Sequence, residues 1–188
     1  RVIYIFAVTL LIIVILLVLS GIKETVIMAT ILFSLGCFYL LGSPLGSIPD
    51  EQTHFYRAFE ISCGNLLSQH LGETGAGGNT FPVEVANYAD RNAELDWNNL
   101  KEYEFTNASL YSPISYLPQL IGIKVARLIT NKVYWIFYGG RIGNFLVSVL
   151  LLVLAIYFIP FGKRLIFLIM VFPLTLQEII SMSPDGFT

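Results

Sequence analysis

The sequence predicts an all-α membrane protein, a polytopic transmembrane helix bundle with one large polar loop that carries juxtamembrane helices. Three observations predict it. Hydrophobic residues make up 55% of the chain and charged residues only 13%, against roughly 25% charged in soluble domains. Mean hydropathy is +0.71. Several apolar runs approach the roughly 20 residues that cross a hydrocarbon core.

Residues 2–19 (VIYIFAVTLLIIVILLVL) carry no charge, and residues 25–42 (TVIMATILFSLGCFYLLG) return after the short turn SGIKE. Together, residues 1–42 read as a transmembrane hairpin. A signal peptide fits poorly, because a second apolar run follows at once without a small-residue cleavage site. The chain starts at Arg1 and stops just past a hydrophobic run, so it reads as a piece of a longer protein.

Residues 43–112 form the polar loop. Ten of the thirteen acidic residues lie between Asp50 and Glu104, against three basic ones, Arg57, Arg91 and Lys101. A segment this poor in Lys and Arg belongs outside the cytoplasm, with the Lys23 turn inside. Residues 49–70 suit a helix, with Pro49 at its first position and Ser47 as cap. GETGAGGNT then breaks regular structure, and residues 81–110 yield no assignment. Cys37 and Cys63 sit too differently to suggest a disulfide.

Residues 113–188 hold an interfacial or re-entrant helix and two spans. The run YSPISYLPQLIGIKVARLI (111–129) is apolar but interrupted by Pro113 and Pro118, and it carries Lys124 and Arg127. Leu117, Ile121, Val125 and Leu128 recur at helical spacing, as in an amphipathic helix at the interface. Residues 142–159 and 165–181 read as spans separated by PFGKR. If 111–129 crossed, Lys163 and Arg164 would face outward. If it does not, they lie inside, and SPDG emerges on the same face as PDEQTH. The second arrangement is the expectation.

The chemistry-bearing stretch is SIPDEQTHFYRAFE (47–60). On a helix, Asp50 and Glu51 precede His54 by four and three residues and Arg57 follows three later, so all four share a broad face. Carboxylates beside a histidine at a bilayer surface suit a general base or the ligands of a hard cation. The plainer reading is a helix start, where the dipole favours acidic residues. Glu60, further along, is expected to be silent. Tyr111 and Tyr116 fit an interfacial aromatic belt, and Lys124, Arg127 and Arg141 could hold a lipid phosphate or simply anchor helix ends. Asp185 lies in a turn-forming SPDG. Glu178 is a minor candidate and His70 an ordinary surface histidine.

Four separated pieces together resemble a known family. PDEQTHFYRAFEIS, FTNASLYSPISYLPQLIGIKVARL, YGGRIGNFLVSVLLL and SMSPDGFT, over residues 44–188, are similar to bacterial membrane proteins filed as domain of unknown function 2142. That family looks like a branch of the GT-C superfamily, glycosyltransferases that use polyprenyl-phosphate-linked sugars. This chain departs from it in SPDG, where SAD is usual, and in the added helix 2–19. The resemblance implies a GT-C-like N-terminal portion in the bacterial plasma membrane, multi-pass, with its site on the outer face. It implies Asp50 and Glu51 as catalytic, with His54 beside them and Arg57 in the same motif; with it, Arg57, Tyr111, Tyr116, Lys124, Arg127 and Arg141 are the expected substrate-binding residues. Asp50 and Asp185 would hold a divalent cation, magnesium or manganese, where one is used. The expected partners are membrane lipid, a polyprenyl-phosphate sugar donor and a glycan acceptor, not nucleic acid. Two other classes remain open: a transporter or flippase for lipid-linked glycans, and a non-catalytic envelope assembly protein.

Overall fold

A computed structural model describes residues 2–21, 23–71 and 75–186. Parts of three sequence motifs, 22 of SGIKE, 72–74 of GETGAGGNT and 187–188 of SMSPDGFT, lie outside the described residues, as does Arg1. Eight α-helices are described, besides three short 3-10 segments: α1 (Val2–Leu19), α2 (Glu24–Gly42), α3 (Glu51–Ser62), α4 (Thr106–Ser109), α5 (Leu117–Ile129), α6 (Val133–Phe158), α7 (Lys163–Met170) and α8 (Pro173–Ile180). The chain is not all-α. β1 (Gln69–Leu71), β2 (Ala76–Pro82) and β3 (Leu100–Glu104) form an antiparallel sheet in the order β1-β2-β3.

The sheet corrects the expectation that GETGAGGNT breaks all structure. Ala76–Pro82 is its central strand, in register Gly78↔Glu104 and Pro82↔Leu100. The glycines are there for proximity. A Cβ on Gly78 would collide with the Tyr103 carbonyl and one on Gly77 with the Ser109 side chain, so bulkier residues would push β3 and α4 away.

α6 organises the molecule. Its 26 residues reach about 39 Å at 1.5 Å per residue, more than the roughly 30 Å of a hydrocarbon core. The C-terminal part packs with α2, α7 and α8 in a mainly aliphatic core that includes Met28, Leu32, Val149, Ile156 and Leu176. The N-terminal turns enter a second, aromatic core, where Ile136 and Phe137 meet Phe55, Phe59, Phe81 and Phe105. The span expected at 142–159 is thus the lower part of a helix that begins at Val133. α2 and α6 are each long and apolar enough to cross a membrane.

α5 runs back beside the upper part of α6 and has only 13 residues, about 20 Å. Pro113 and Pro118 stand in the first turns of the 3-10 segment Pro113–Tyr116 and of α5, where a missing N–H costs nothing. Gly122 meets Gly139 and Gly143 backbone to backbone, and a Cβ on any of the three would collide with the facing helix. Small residues set this close approach.

The span expected at 165–181 is instead two short helices. Pro173 begins α8 and cannot donate the N–H that would continue α7. Arg164 Nε donates to Glu24 Oε1 at 2.7 Å, which puts the 159–163 turn at the same end of the bundle as the Lys23 turn. Asp50 and Asp185 lie at the other end.

Candidate functional site

The site is built where α2 turns into α3. α3 is shorter than the expected 49–70 and stops before Gly64, whose φ is +97°. Its start also differs from the expected cap. Ser47 Oγ donates to the Pro44 carbonyl, 2.8 Å away. Asp50 occupies the cap position with φ 56° and makes no side-chain cap hydrogen bond. Among the described residues it is the one non-glycine with positive φ, a conformation in which Asp and Asn are enriched. Its side chain is exposed.

Glu51, one residue on, is buried and fully engaged. Arg141 donates from Nε to Oε1 and from Nη2 to Oε2, both at 2.7 Å, and the Gly46 N–H donates to Oε2 at 2.9 Å. Arg141 also donates to the carbonyls of Ser43 and Pro44. Its planar fork therefore fastens the α2–α3 corner to α6. Of the cations expected to face a phosphate, Arg141 is consumed inside the protein. Arg127 lies over the rings of Phe59 and Trp97 and donates to Ser62 Oγ. Lys124 is exposed on α5. The structure does not bring these three together.

Three residues after Arg141 on the same helix, Asn144 secures the other acidic turn. Its Nδ2 donates to the carbonyls of Glu178, Ser181 and Ser183 at 3.0–3.2 Å, and Gln119 Nε2 donates to the Ser183 carbonyl at 2.8 Å. Asp185 sits in the short 3-10 turn just beyond. Arg141 and Asn144 thus deliver two chain segments, remote in sequence, to one place. Neither Asn144 nor Gln119 was singled out from the sequence, although both fall inside quoted motifs. What matters in them is a side-chain amide facing a loop, which spacing does not reveal.

His54, four residues after Asp50, feels the charge of both acids. Its Nδ1 is 2.7 Å from the Tyr116 hydroxyl, and the Tyr111 ring meets its ring edge-on at 5.5 Å. Burial lowers the His54 pKa, while the charges of Asp185 and then Asp50 pull it back up. Burial likewise pushes the Tyr116 phenol far above its ordinary value. The site therefore holds a neutral imidazole against a protonated phenol at neutral pH, flanked by two carboxylates.

Arg57 and Glu60 form a separate buried network. Arg57 Nη1 donates to Glu60 Oε2 and Ser68 Oγ, and Nη2 to the carbonyls of Leu66 and Tyr111. Glu60 also accepts from Asn79 Nδ2 at 2.8 Å and from Ser68 Oγ at 2.7 Å. Glu60 is completely buried, which corrects the expectation of a silent position: it ties α3 to β2. Among the described residues, Arg57 Nε and Gln119 Oε1 are buried without hydrogen-bond partners.

Asp50 and Asp185 offer two carboxylates, a number with which magnesium is commonly held beside substrate phosphates. Glu51 is not free to join them. Among the described residues, no group of three or more His, Cys, Asp or Glu is placed to hold a metal.

The upper end of α6 and the 181–186 turn fall within the segment matched by a family model, residues 76–188, described as a predicted membrane protein, DUF2142. The chain belongs to the DUF2142 family. The match takes in Tyr111, Tyr116, Arg141, Asn144 and Asp185, and begins downstream of Asp50 and His54. No curated protein and no solved structure matches the chain. The protein is therefore a membrane protein of a family whose description states no activity.

Proposed function

We propose that this DUF2142 protein is a membrane glycosyltransferase acting at the outer face of the bacterial plasma membrane. It would move a sugar from a polyprenyl-phosphate donor to a cell-envelope glycan. The observation that carries the reading is that α6 holds both acidic turns, the Asp50 corner through Arg141 and the Asp185 turn through Asn144, with both carboxylates acting electrostatically on His54. The loop's deficit of Lys and Arg supports an extracytoplasmic placement in a multi-pass protein.

Asp50 is the better base, because it is exposed and its side chain caps nothing. It takes the proton of an acceptor hydroxyl as that oxygen attacks the anomeric carbon, and the carbon–oxygen bond to the lipid phosphate breaks. The phosphate leaves with the bonding electrons. In the tautomer that serves this step, the Tyr116 phenol donates to Nδ1 of neutral His54, and the imidazole hydrogen on Nε2 is then a donor for substrate oxygen. No step is assigned to a cation. A transporter would place ionisable groups near the bilayer midplane, whereas these gather at one end of the bundle.

Asp50→Asn tests the reading cleanly. Asparagine tolerates the same left-handed backbone and removes only the charge. Glycan transfer should fall by about 10²–10⁴, the range for a lost general base, with unfolding temperature unchanged. Wild-type transfer by the folded variant would overturn the proposal.

A further inference from the structure

The α5–α6 pair has a second face, turned away from the acidic site. Gln119 and Ile123 of α5 point toward Ser183 and Met182. On the opposite side, an apolar groove of about 930 Å³ runs between α5, α6 and the outer end of α2. Ile121, Val125, Ile142 and Leu146 form its walls, and Leu40 and Leu41 flank it at the level where α2 ends. Ile121, Val125, Ile142, Leu146 and Leu41 are exposed, and Ile142 and Leu146 belong to a helix long and apolar enough to cross a membrane. Further out along α6 the lining changes to Arg91, Lys132 and Tyr134.

The two cations are held there by backbone. Leu95 N–H donates to the Asn131 carbonyl and Val133 N–H to the Ala93 carbonyl, so segment 93–95 is bridged to 131–133. Arg91 lies over the Tyr134 ring at 5.2 Å, and no carboxylate is paired with it among the described residues. The acid facing Lys132 is Glu94, an exposed contact at 3.9 Å, too loose and solvated to neutralise it.

We propose that this groove is a binding site for an anionic phospholipid, separate from the acidic site. The acyl chain lies along α5 and α6, and the headgroup phosphate rests between Arg91 and Lys132. Charge complementarity selects this occupant. A purely apolar partner would leave both cations at its edge unmatched, and a free phosphate would leave the walls uncovered. The inference does not depend on the transferase reading.

The test uses the full chain in lipid nanodiscs and counts lipids retained after release, by native mass spectrometry. Phosphatidylglycerol should be kept in preference to phosphatidylcholine with the same acyl chains. Arg91→Gln with Lys132→Gln should cut phosphatidylglycerol retention by about fivefold for each cation and leave phosphatidylcholine unchanged. Ile142→Trp, which fills the groove, should reduce both lipids. Lys101→Gln, remote from the groove, should alter neither. Equal retention of the two lipids by the wild type, or indifference to the double change in a folded protein, would overturn the site. So would inorganic phosphate binding that survives Ile142→Trp, which indicates a phosphate site without a lipid. A Val125→Cys variant that a lipid-soluble maleimide cannot reach in lipid-depleted protein would show the groove filled by protein instead, and would overturn it too.

Discussion

Arg141–Glu51 and Arg57–Glu60 are both buried ion pairs, yet they differ in reach. Arg57 and Glu60 lie three residues apart on one helix, and the carboxylate has Asn79 and Ser68 as further donors. Arg141 and Glu51 are 90 residues apart, and the same guanidinium also holds the Ser43 and Pro44 carbonyls. The first pair stiffens a helix and seats it on a sheet. The second decides where the helix stands on the bundle. A buried pair is weak evidence for stability by itself, so its value here lies in which segments it joins.

Removing one member should separate the two cases most strongly at Arg141. Arg141→Met leaves Glu51 buried and unpaired, which typically costs about 3–5 kcal/mol, and it frees the corner that carries Asp50. A large fall in unfolding temperature in detergent is expected. Glu51→Leu added to it should recover much of the stability without recovering glycan transfer. Recovery of both would show that the pair does not position the site.

Glu60→Gln should have a middle effect. It keeps an oxygen for Asn79 but removes the charge facing Arg57, and hydrogen bonds to charged groups are worth about 1.5–3 kcal/mol. Unfolding should come at lower temperature, while transfer per folded molecule stays near wild type. An unchanged melting curve would mean that the α3–sheet contact contributes little.

The smallest effect belongs to His54. Its folded pKa is lowered by burial from 6.5, so below about pH 6.5 the unfolded chain takes up a proton that the folded site resists. This contribution to stability is complete above the unfolded value and is lost as pH falls from there toward the folded one. His54→Gln should flatten that part of the stability profile. An acid-side slope that persists in the variant would assign it to the carboxylates.

Much of this arrangement was legible in the sequence, and the exceptions share a cause. The runs 2–19 and 25–42 fall within a residue of α1 and α2 because apolar length alone specifies them. Pro49, Asp50 and Glu51 marked the start of α3. By contrast, β2 is composed as a linker, since Gly77, Gly78 and Asn79 were chosen for what approaches them and for the Glu60 carboxylate. The beginning of α6 was hidden because the turns before Arg141 are aromatic and glycine-rich, fitted to the aromatic core and to α5. Pro173 was visible inside 165–181 but was outweighed by hydropathy. No spacing could show that Glu51 belongs to Arg141 while Asp50 beside it remains free, because that choice is made by a left-handed residue at the corner.

The Arg141–Glu51 pair also bears on the order of synthesis. In the multi-pass arrangement proposed above, α6 is integrated with a guanidinium at the end of its apolar stretch, level with the end of α2, where a charge costs less than the roughly 2.5–3.5 kcal/mol it would at the helix centre. Glu51 has already left the ribosome, 90 residues ahead of Arg141. The counter-charge is thus waiting at the membrane surface when α6 arrives, and the earlier part of the chain acts as an internal guide for the later one. A chain carrying Glu51→Gln should integrate α6 in mixed orientations, as read by a glycosylation tag placed in the 159–163 turn.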